Sequence, residues 1–328
     1  MSRRIVFVTG GAGFIGSNIV ARLAQDRSLD VVVCDRLREA ELGKWRNIAK
    51  HPIGDFVFDW LDKRWRDIEA VVHMGAVSST TEPDADKIVH ANFSLSRDLF
   101  RWCADHQRRL IYASSAATYG DGHLGFGDDN SFEALAALRP LNTYGWSKAI
   151  FDIFAVRQAA RDYAPPQWAG LKFFNVYGPN EGHKHAMKSV AAQIWPKVRD
   201  GQGVQLFKSH RDGIADGGQL RDFVYVRDVA EVVAWLLDNP SVNGVYNLGS
   251  GEARSFEDMA KAVFAAAGRA PQIDYIPMPP QIRDRYQYFT QADMRRLRQA
   301  GYEAPFTSLE DGIADYVSRY LATDDPYR

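Results

Sequence analysis

The chain has 328 residues, 25% of them charged, and a formal net charge of −1, so nothing in its composition favours nucleic acid or an acidic membrane surface as a partner. It is long enough for one large or two interleaved domains. No run approaches the roughly 20 apolar residues of a membrane span, and with the first strand predicted so near the start no signal peptide is expected. With only Cys34 and Cys103, one ending a strand pattern and one inside a helical pattern, neither a disulfide nor a metal site is expected, and a reducing cytoplasm is favoured.

Taken in chain order, residues 3–9 form an apolar strand pattern, Gly10, Gly11, Gly13 and Gly16 follow, and residues 14–25 read as a helix. Glycines at these spacings allow a tight turn and bring backbone N–H groups against a pyrophosphate at the positive end of the helix. A second strand, residues 30–34, ends in Asp35, about 20 residues on, where an acid is expected to meet the adenosine ribose. Further strands are predicted at 55–58, 70–73, 110–114 and 170–174, with helices over 85–107 and 143–161. This alternation predicts an α/β fold on a doubly wound parallel sheet, with ligands at the carboxyl ends of its strands. Asp59, Gly75 to Ser78, Ser114, Ser115 and Asn175 all fall at such ends. Beyond residue 175 the pattern is irregular, and 208–219 reads as a long polar surface loop. There is no internal repeat and no linker between independent domains.

Tyr144 precedes Lys148 by four residues on one predicted helical face. The ammonium is therefore expected near the phenol, lowering its pKa from about 10 toward the working pH and letting it exchange a hydroxyl proton beside a nicotinamide. Tyr-x-x-x-Lys recurs by chance. Its weight here comes from the glycine-rich turn and from the pair Ser114-Ser115 between them.

Thr9 to Gly16, Gly75-Ala76, Ser114 to Gly120, Tyr144 to Lys148, Asn175-Val176-Tyr177-Gly178-Pro179 and Arg221 to Val226 together resemble the extended short-chain dehydrogenases that act on nucleotide sugars. The resemblance runs nearly end to end. Within that group, Ser78 to Glu82, Glu181-Gly182-His183-Lys184, and Arg285-Tyr286-Gln287 with Phe289 to Asp293 are similar to the ADP-heptose 6-epimerase family. The resemblance implies a Rossmann domain of residues 1–174 plus about 221–248, interleaved with a smaller substrate domain of about 175–220 plus 249–328.

The same resemblance implies the site. Ser115 would bond the substrate hydroxyl, Tyr144 would exchange its proton, and Lys148 would tune Tyr144 and bond the nicotinamide ribose. Lys184, which composition alone reads as a loop lysine or a diphosphate contact, would be a second acid/base. Cofactor contacts would come from Gly10, Gly13, Phe14, Ile15, Gly16, Asp35, Arg36, Arg38 and Lys44, then Asp59 at the adenine, then Met74, Gly75, Ala76, Ser78, Asn92, Tyr144, Lys148, Val176 and His183. The substrate pocket would add Ser115, Asn175, Lys184, Phe207, Arg221 and Tyr286, with Arg221 pairing bidentately with diphosphate. Asp35 alone favours NAD, because it would repel a 2′-phosphate. Arg36, Arg38 and Lys44 could pair with that phosphate, and the family uses NADP, so NADP is expected with NAD as the alternative.

Ala116 and Ala117 stand where nucleotide-sugar dehydratases carry an Asp-Glu pair, so elimination of water is not expected. His185-Ala186-Met187 replaces a Gly-Ser-Met of some relatives, removing a serine contact to the sugar. The expected activity is epimerisation at C6 of an ADP-heptose in lipopolysaccharide core synthesis, in the cytoplasm. A UDP-sugar 4-epimerase and a noncatalytic dinucleotide sensor are the alternatives. The expected partners are an ADP-sugar and, by resemblance, copies of the same chain in a homopentamer.

Overall fold

The computed structural model describes residues 4–37, 43–58, 67–283 and 286–328. Its centre is a seven-stranded sheet of β1 (Arg4–Thr9), β2 (Leu29–Cys34), β3 (Asp55–Val57), β4 (Ile68–His73), β5 (Arg109–Ser115), β6 (Trp168–Phe173) and β10 (Gly244–Leu248), in the order β10-β6-β5-β4-β1-β2-β3. Each neighbouring pair is parallel. Strands of this kind are covered on both faces, so their sequences are near-continuous apolar runs such as Val6-Phe7-Val8 and Val71-Val72, which are buried. The expected doubly wound sheet is present.

The helices α1 (Phe14–Leu23), α2 (Ala85–Ile88), α3 (Leu95–Asp105), α4 (Phe132–Ala137), α5 (Thr143–Ala159) and α7 (Val226–Asp238) pack around it, while α6 (Val190–Arg199) and α8 (Phe256–Ala266) pack on each other in a separate apolar cluster with residues of the later, shorter strands. One apolar cluster, including Ile19, Val229 and Val233, lies under α1 and α7; another, including Phe100, Phe151 and Trp168, lies under α3 and α5. Strand order reverses between β1 and β4. That is the switch point at which doubly wound sheets open a crevice for a ligand.

The helix expected over 85–107 is not one regular helix. Residues Val89–Ser94 form a π-helical turn between α2 and α3, and such a turn re-aims side chains within a helix. Asn92, fully buried, uses it to accept from the Val77 N–H at 2.8 Å and to donate to the Val77 carbonyl and to Ser147 Oγ, each at 3.0 Å.

The region after 175 that reads as irregular contains β7 (Asn175–Tyr177), β8 (Val204–Phe207), β9 (Leu220–Tyr225), β11 (Ala253–Ser255) and β12 (Ile273–Ile276). They form a three-stranded sheet, β11-β9-β7, and a parallel pair, β12-β8. Strands of three to six residues leave too short a window for a period-two pattern to show. Residues 208–219 do connect β8 to β9, as a loop.

Candidate active site

The glycine-rich turn sits at the switch point. Gly10 has φ +65°, and a Cβ on it would lie 2.7 Å from the Gly75 Cα, so the exits of β1 and β4 touch only because neither carries a side chain there. The N-cap of α1 is Gly13, with no side-chain cap and no acidic residue in the first turn. Its leading N–H groups are thus available to an anion. Asp35 follows β2; its carboxylate accepts from the Ala12 N–H at 2.9 Å and the Arg36 N–H at 2.7 Å, and lies 2.5 Å from Lys44 Nζ. A cavity runs along these residues, lined by Gly10, Gly13, Phe14, Ile15, Gly16, Asp35, Lys44, Met74, Gly75, Ala76, Ser78, Tyr144, Lys148, His183 and Lys184.

Arg36 lies in an adjoining cleft with Val77 and with Phe58 and His90, two residues the sequence reading did not single out. Arg38 and Asp59 lie outside the described residues. Asn92 reaches the site through Val77 and Ser147, as above. His183 Nδ1 lies 3.3 Å from Asn47 Nδ2, a donor, and burial between Lys44 and Lys184 pushes its pKa down to about 4. The ring therefore stays neutral.

Tyr144 and Lys148 stand one turn apart on α5, whose N-cap Asn142 accepts from the Gly145 N–H at 2.8 Å. A Cβ on Gly145 would come within 2.6 Å of the Ala117 carbonyl oxygen, so glycine is what lets this helix press against the turn after β5 that presents Ser115. Ser115 lies near enough to the Tyr144 phenol to favour its ionised form. Its Oγ accepts from the Ala117 N–H at 3.1 Å.

The electrostatics differ from the sequence expectation. Burial pushes the Tyr144 phenol up, opposed by Ser115 and not by Lys148. The Lys148 ammonium instead donates to the Ala113 carbonyl at 2.8 Å, and burial brings its pKa down to about 8, against the pull of Asp152. Helical spacing places two side chains on one face, but it cannot say that the longer one will bond to the strand below.

A second cavity, of about 400 Å³, continues from the first and is lined by Phe14, Ser78, Ser115, Tyr144, Asn175, Val176, Lys184 and Phe256. Lys184 comes from the turn Gly182–Met187. The turn is anchored by Glu181, whose buried carboxylate accepts from the Ser189 N–H and Oγ, both at 2.6 Å, and from the Tyr316 hydroxyl at 3.0 Å. Burial lowers the Lys184 pKa, and Glu181 opposes that.

Arg221, Tyr286 and Phe207 do not line this cavity. Arg221 lies beside it, its guanidinium 5.4 Å from the Phe256 ring centroid and 5.2 Å from that of Tyr286. It is buried between these aromatics with no ion pair among the described residues. Such a fork suits a diphosphate. Phe207 ends β8, half-buried.

Residues 6–249 match the NAD dependent epimerase/dehydratase family. The ADP-L-glycero-D-manno-heptose-6-epimerase of Nitratidesulfovibrio vulgaris is 49% identical over 98% of this chain and 99% of its own. Among solved structures, the Helicobacter pylori ADP-L-glycero-D-manno-heptose-6-epimerase superposes with a TM-score of 0.80 at 28% identity, covering 97% of this chain and 96% of that one. The Thermus thermophilus UDP-glucose 4-epimerase, solved with NAD, gives a TM-score of 0.73 at 29% identity, covering 95% and 97%. The chain belongs to the NAD dependent epimerase/dehydratase family. Its cofactor is a nicotinamide dinucleotide, which the side-chain-free contact of Gly10 with Gly75 and the uncapped start of α1 both fit. Among the described residues no helix is long and apolar enough to cross a membrane.

Proposed function

We propose that this chain inverts C6 of the heptose in ADP-D-glycero-D-manno-heptose, giving the ADP-L-glycero-D-manno-heptose used to build lipopolysaccharide core. The observation that carries this reading is that two proton-carrying side chains from different elements, Tyr144 on α5 and Lys184 on the 182–187 turn, line one cavity beside the dinucleotide crevice. A nicotinamide dinucleotide held along Gly10, Gly13 and Gly16 would supply a hydride acceptor and donor at the substrate carbon. Inversion needs return to the opposite face, so the C6 oxygen must point in two directions, and one donor cannot serve both. Tyr144 serves one orientation and Lys184 the other, with the exocyclic group turning about its bond to the ring. Ser115 bonds the same oxygen while its charge develops. Lys148, nearly fully buried, holds a positive charge beneath the site.

Glycines 10, 13 and 16 and the start of α1 hold the pyrophosphate, and Arg221 holds the substrate diphosphate. NADP is the proposed cofactor form, because the Asp35 charge that would repel a 2′-phosphate is already met by Lys44. Assembly as a homopentamer and a cytoplasmic site of action belong to the same proposal. Incubating the protein with ADP-D-glycero-D-manno-heptose and with UDP-galactose, then resolving the products, tests it. Inversion of the heptose alone is expected; inversion of galactose alone makes the chain a 4-epimerase, and neither product makes it a noncatalytic binder.

A further inference from the structure

We infer that the buried pair Asp152 and Lys172 is a positioning device, fixing the strand that ends in Ser115 against the helix that carries Tyr144 and Lys148; the inference rests on the proposed roles of those three residues. Asp152 lies one turn beyond Lys148 on α5 and is fully buried. One of its oxygens accepts from the Tyr112 hydroxyl at 3.1 Å, and the other accepts from Ser114 Oγ at 2.7 Å and lies 3.0 Å from Lys172 Nζ. Lys172, on β6, also donates to Thr118 Oγ1 at 2.6 Å and places its ammonium 4.8 Å from the Tyr119 ring centroid. Thr118 in turn donates to the Ser115 carbonyl at 2.8 Å.

One carboxylate and one ammonium thus join α5, β5, β6 and the turn after β5. Three of its links fall beside a catalytic side chain. Ser114 precedes Ser115, Thr118 holds the carbonyl of Ser115 itself, and Asp152 adjoins Lys148, whose Nζ is bonded to the neighbouring Ala113 carbonyl.

Stability does not account for the pair. Lys172 is the sole charged residue in an otherwise apolar, wholly buried strand, and exchanging a buried ion pair for apolar side chains is often neutral or stabilising. What apolar side chains cannot do is fix direction. Small misplacements of a reacting group cost rate steeply, and a hydrogen-bonded, charge-balanced cluster resists them. The pair also sets the field at Lys148, which faces Asp152 on its own helix and His73 from β4, with Lys172 beyond Asp152 on β6. Asp152 favours the charged ammonium; buried His73 stays neutral.

The experiment compares Thr118→Val, the charge-balanced double variant Asp152→Asn/Lys172→Met, and Tyr144→Phe, each as holoenzyme, for melting temperature, bound dinucleotide, kcat, KM and pH profile. Thr118→Val removes the hydroxyl that accepts from Lys172 and donates to the Ser115 carbonyl, and leaves the contacts of Asp152 in place; kcat is expected to fall about tenfold with KM and bound dinucleotide unchanged. In the double variant the basic limb of the kcat profile is expected at lower pH, since Lys148 loses the carboxylate that holds its proton. Wild-type kcat in Thr118→Val, or losses of kcat matched by lost dinucleotide and a lowered melting temperature, would overturn the inference, and Thr118→Val decides alone if the double variant does not fold. Turnover by Tyr144→Phe would instead overturn the catalytic assignment beneath it.

Discussion

The ammonium of Lys184 lies 4.9 Å from the centroid of the Phe14 ring, so the first residue of the dinucleotide-binding helix is also the platform on which the proposed second proton donor stands. An aromatic face favours the charged amine, while the burial of Lys184 disfavours it. The opposition leaves the group able to give and regain a proton.

Lys184→Met keeps a long stem and removes the donor. Tyr144 alone then serves one orientation of the C6 oxygen, so the variant should bind dinucleotide and substrate yet interconvert epimers about 100-fold more slowly or worse, within the roughly 10²–10⁴ range of a general acid/base. Near-normal interconversion, followed by resolving the two epimers with time, would return Lys184 to an ordinary loop residue.

Tyr144→Phe removes one hydroxyl from a buried side chain that lines the cavity with Ser115. Turnover should be abolished, while the dinucleotide released on denaturing the purified protein stays nearly unchanged. Loss of cofactor in step with activity would mean that the phenol holds the cofactor and does not exchange the proton.

Lys44 pairs with Asp35 at 2.5 Å. In Lys44→Ala the carboxylate charge is bare, which should weaken NADP about tenfold more than NAD, since only NADP brings a phosphate toward it. Titrating both dinucleotides into the variant reads this directly, and equal losses would show that Lys44 does not discriminate between them.

His73 gives a pH prediction with a definite sign. Its Nδ1 lies 2.6 Å from Thr9 Oγ1 and its Nε2 lies 2.9 Å from Ser96 Oγ, which itself donates to the Asn92 carbonyl. Burial keeps the folded ring neutral, and with the Ser96 hydroxyl proton given to Asn92 the single ring proton sits on Nε2, leaving Nδ1 to accept from Thr9. Burial takes its pKa from 6.5 down to about 3. Between those values the unfolded chain binds a proton that the folded chain does not, so this contribution to stability is present in full above pH 6.5 and is lost as pH falls toward about 3. Unfolding free energies from denaturant titrations across that range should fall less steeply in His73→Gln, by up to ~1.4 kcal/mol per pH unit; parallel slopes would count against the assignment.

Most of the dinucleotide crevice was legible because its signals are local. Glycine spacing, a strand before it and an acid after it lie within residues 4–35, and the structure brings Gly10, Asp35 and Lys148 to one cavity. Lys148 bonding to Ala113 was not legible, since the strand beneath a helix is remote in sequence. Nor was the pocket around Arg221, which depends on Phe256 and Tyr286 meeting it from two other segments. One signal was available and passed over: Asp152 follows Tyr144 and Lys148 at the same four-residue step, which puts all three on one helical face. The π-helical turn at Val89–Ser94 has no apolar periodicity to announce it.

The placement of β10 bears on how the chain is made. β6 is buried at every position and held between β5 and β10, and β10 is Gly244–Leu248. Until that late stretch leaves the ribosome, β6 is the open edge of an apolar parallel sheet, with a row of unpaired N–H and C=O groups facing outward. Most of the dinucleotide crevice is encoded early, yet its sheet cannot close during synthesis of that early part. A nascent chain halted near residue 174 would offer neighbouring chains a ready template for aggregation.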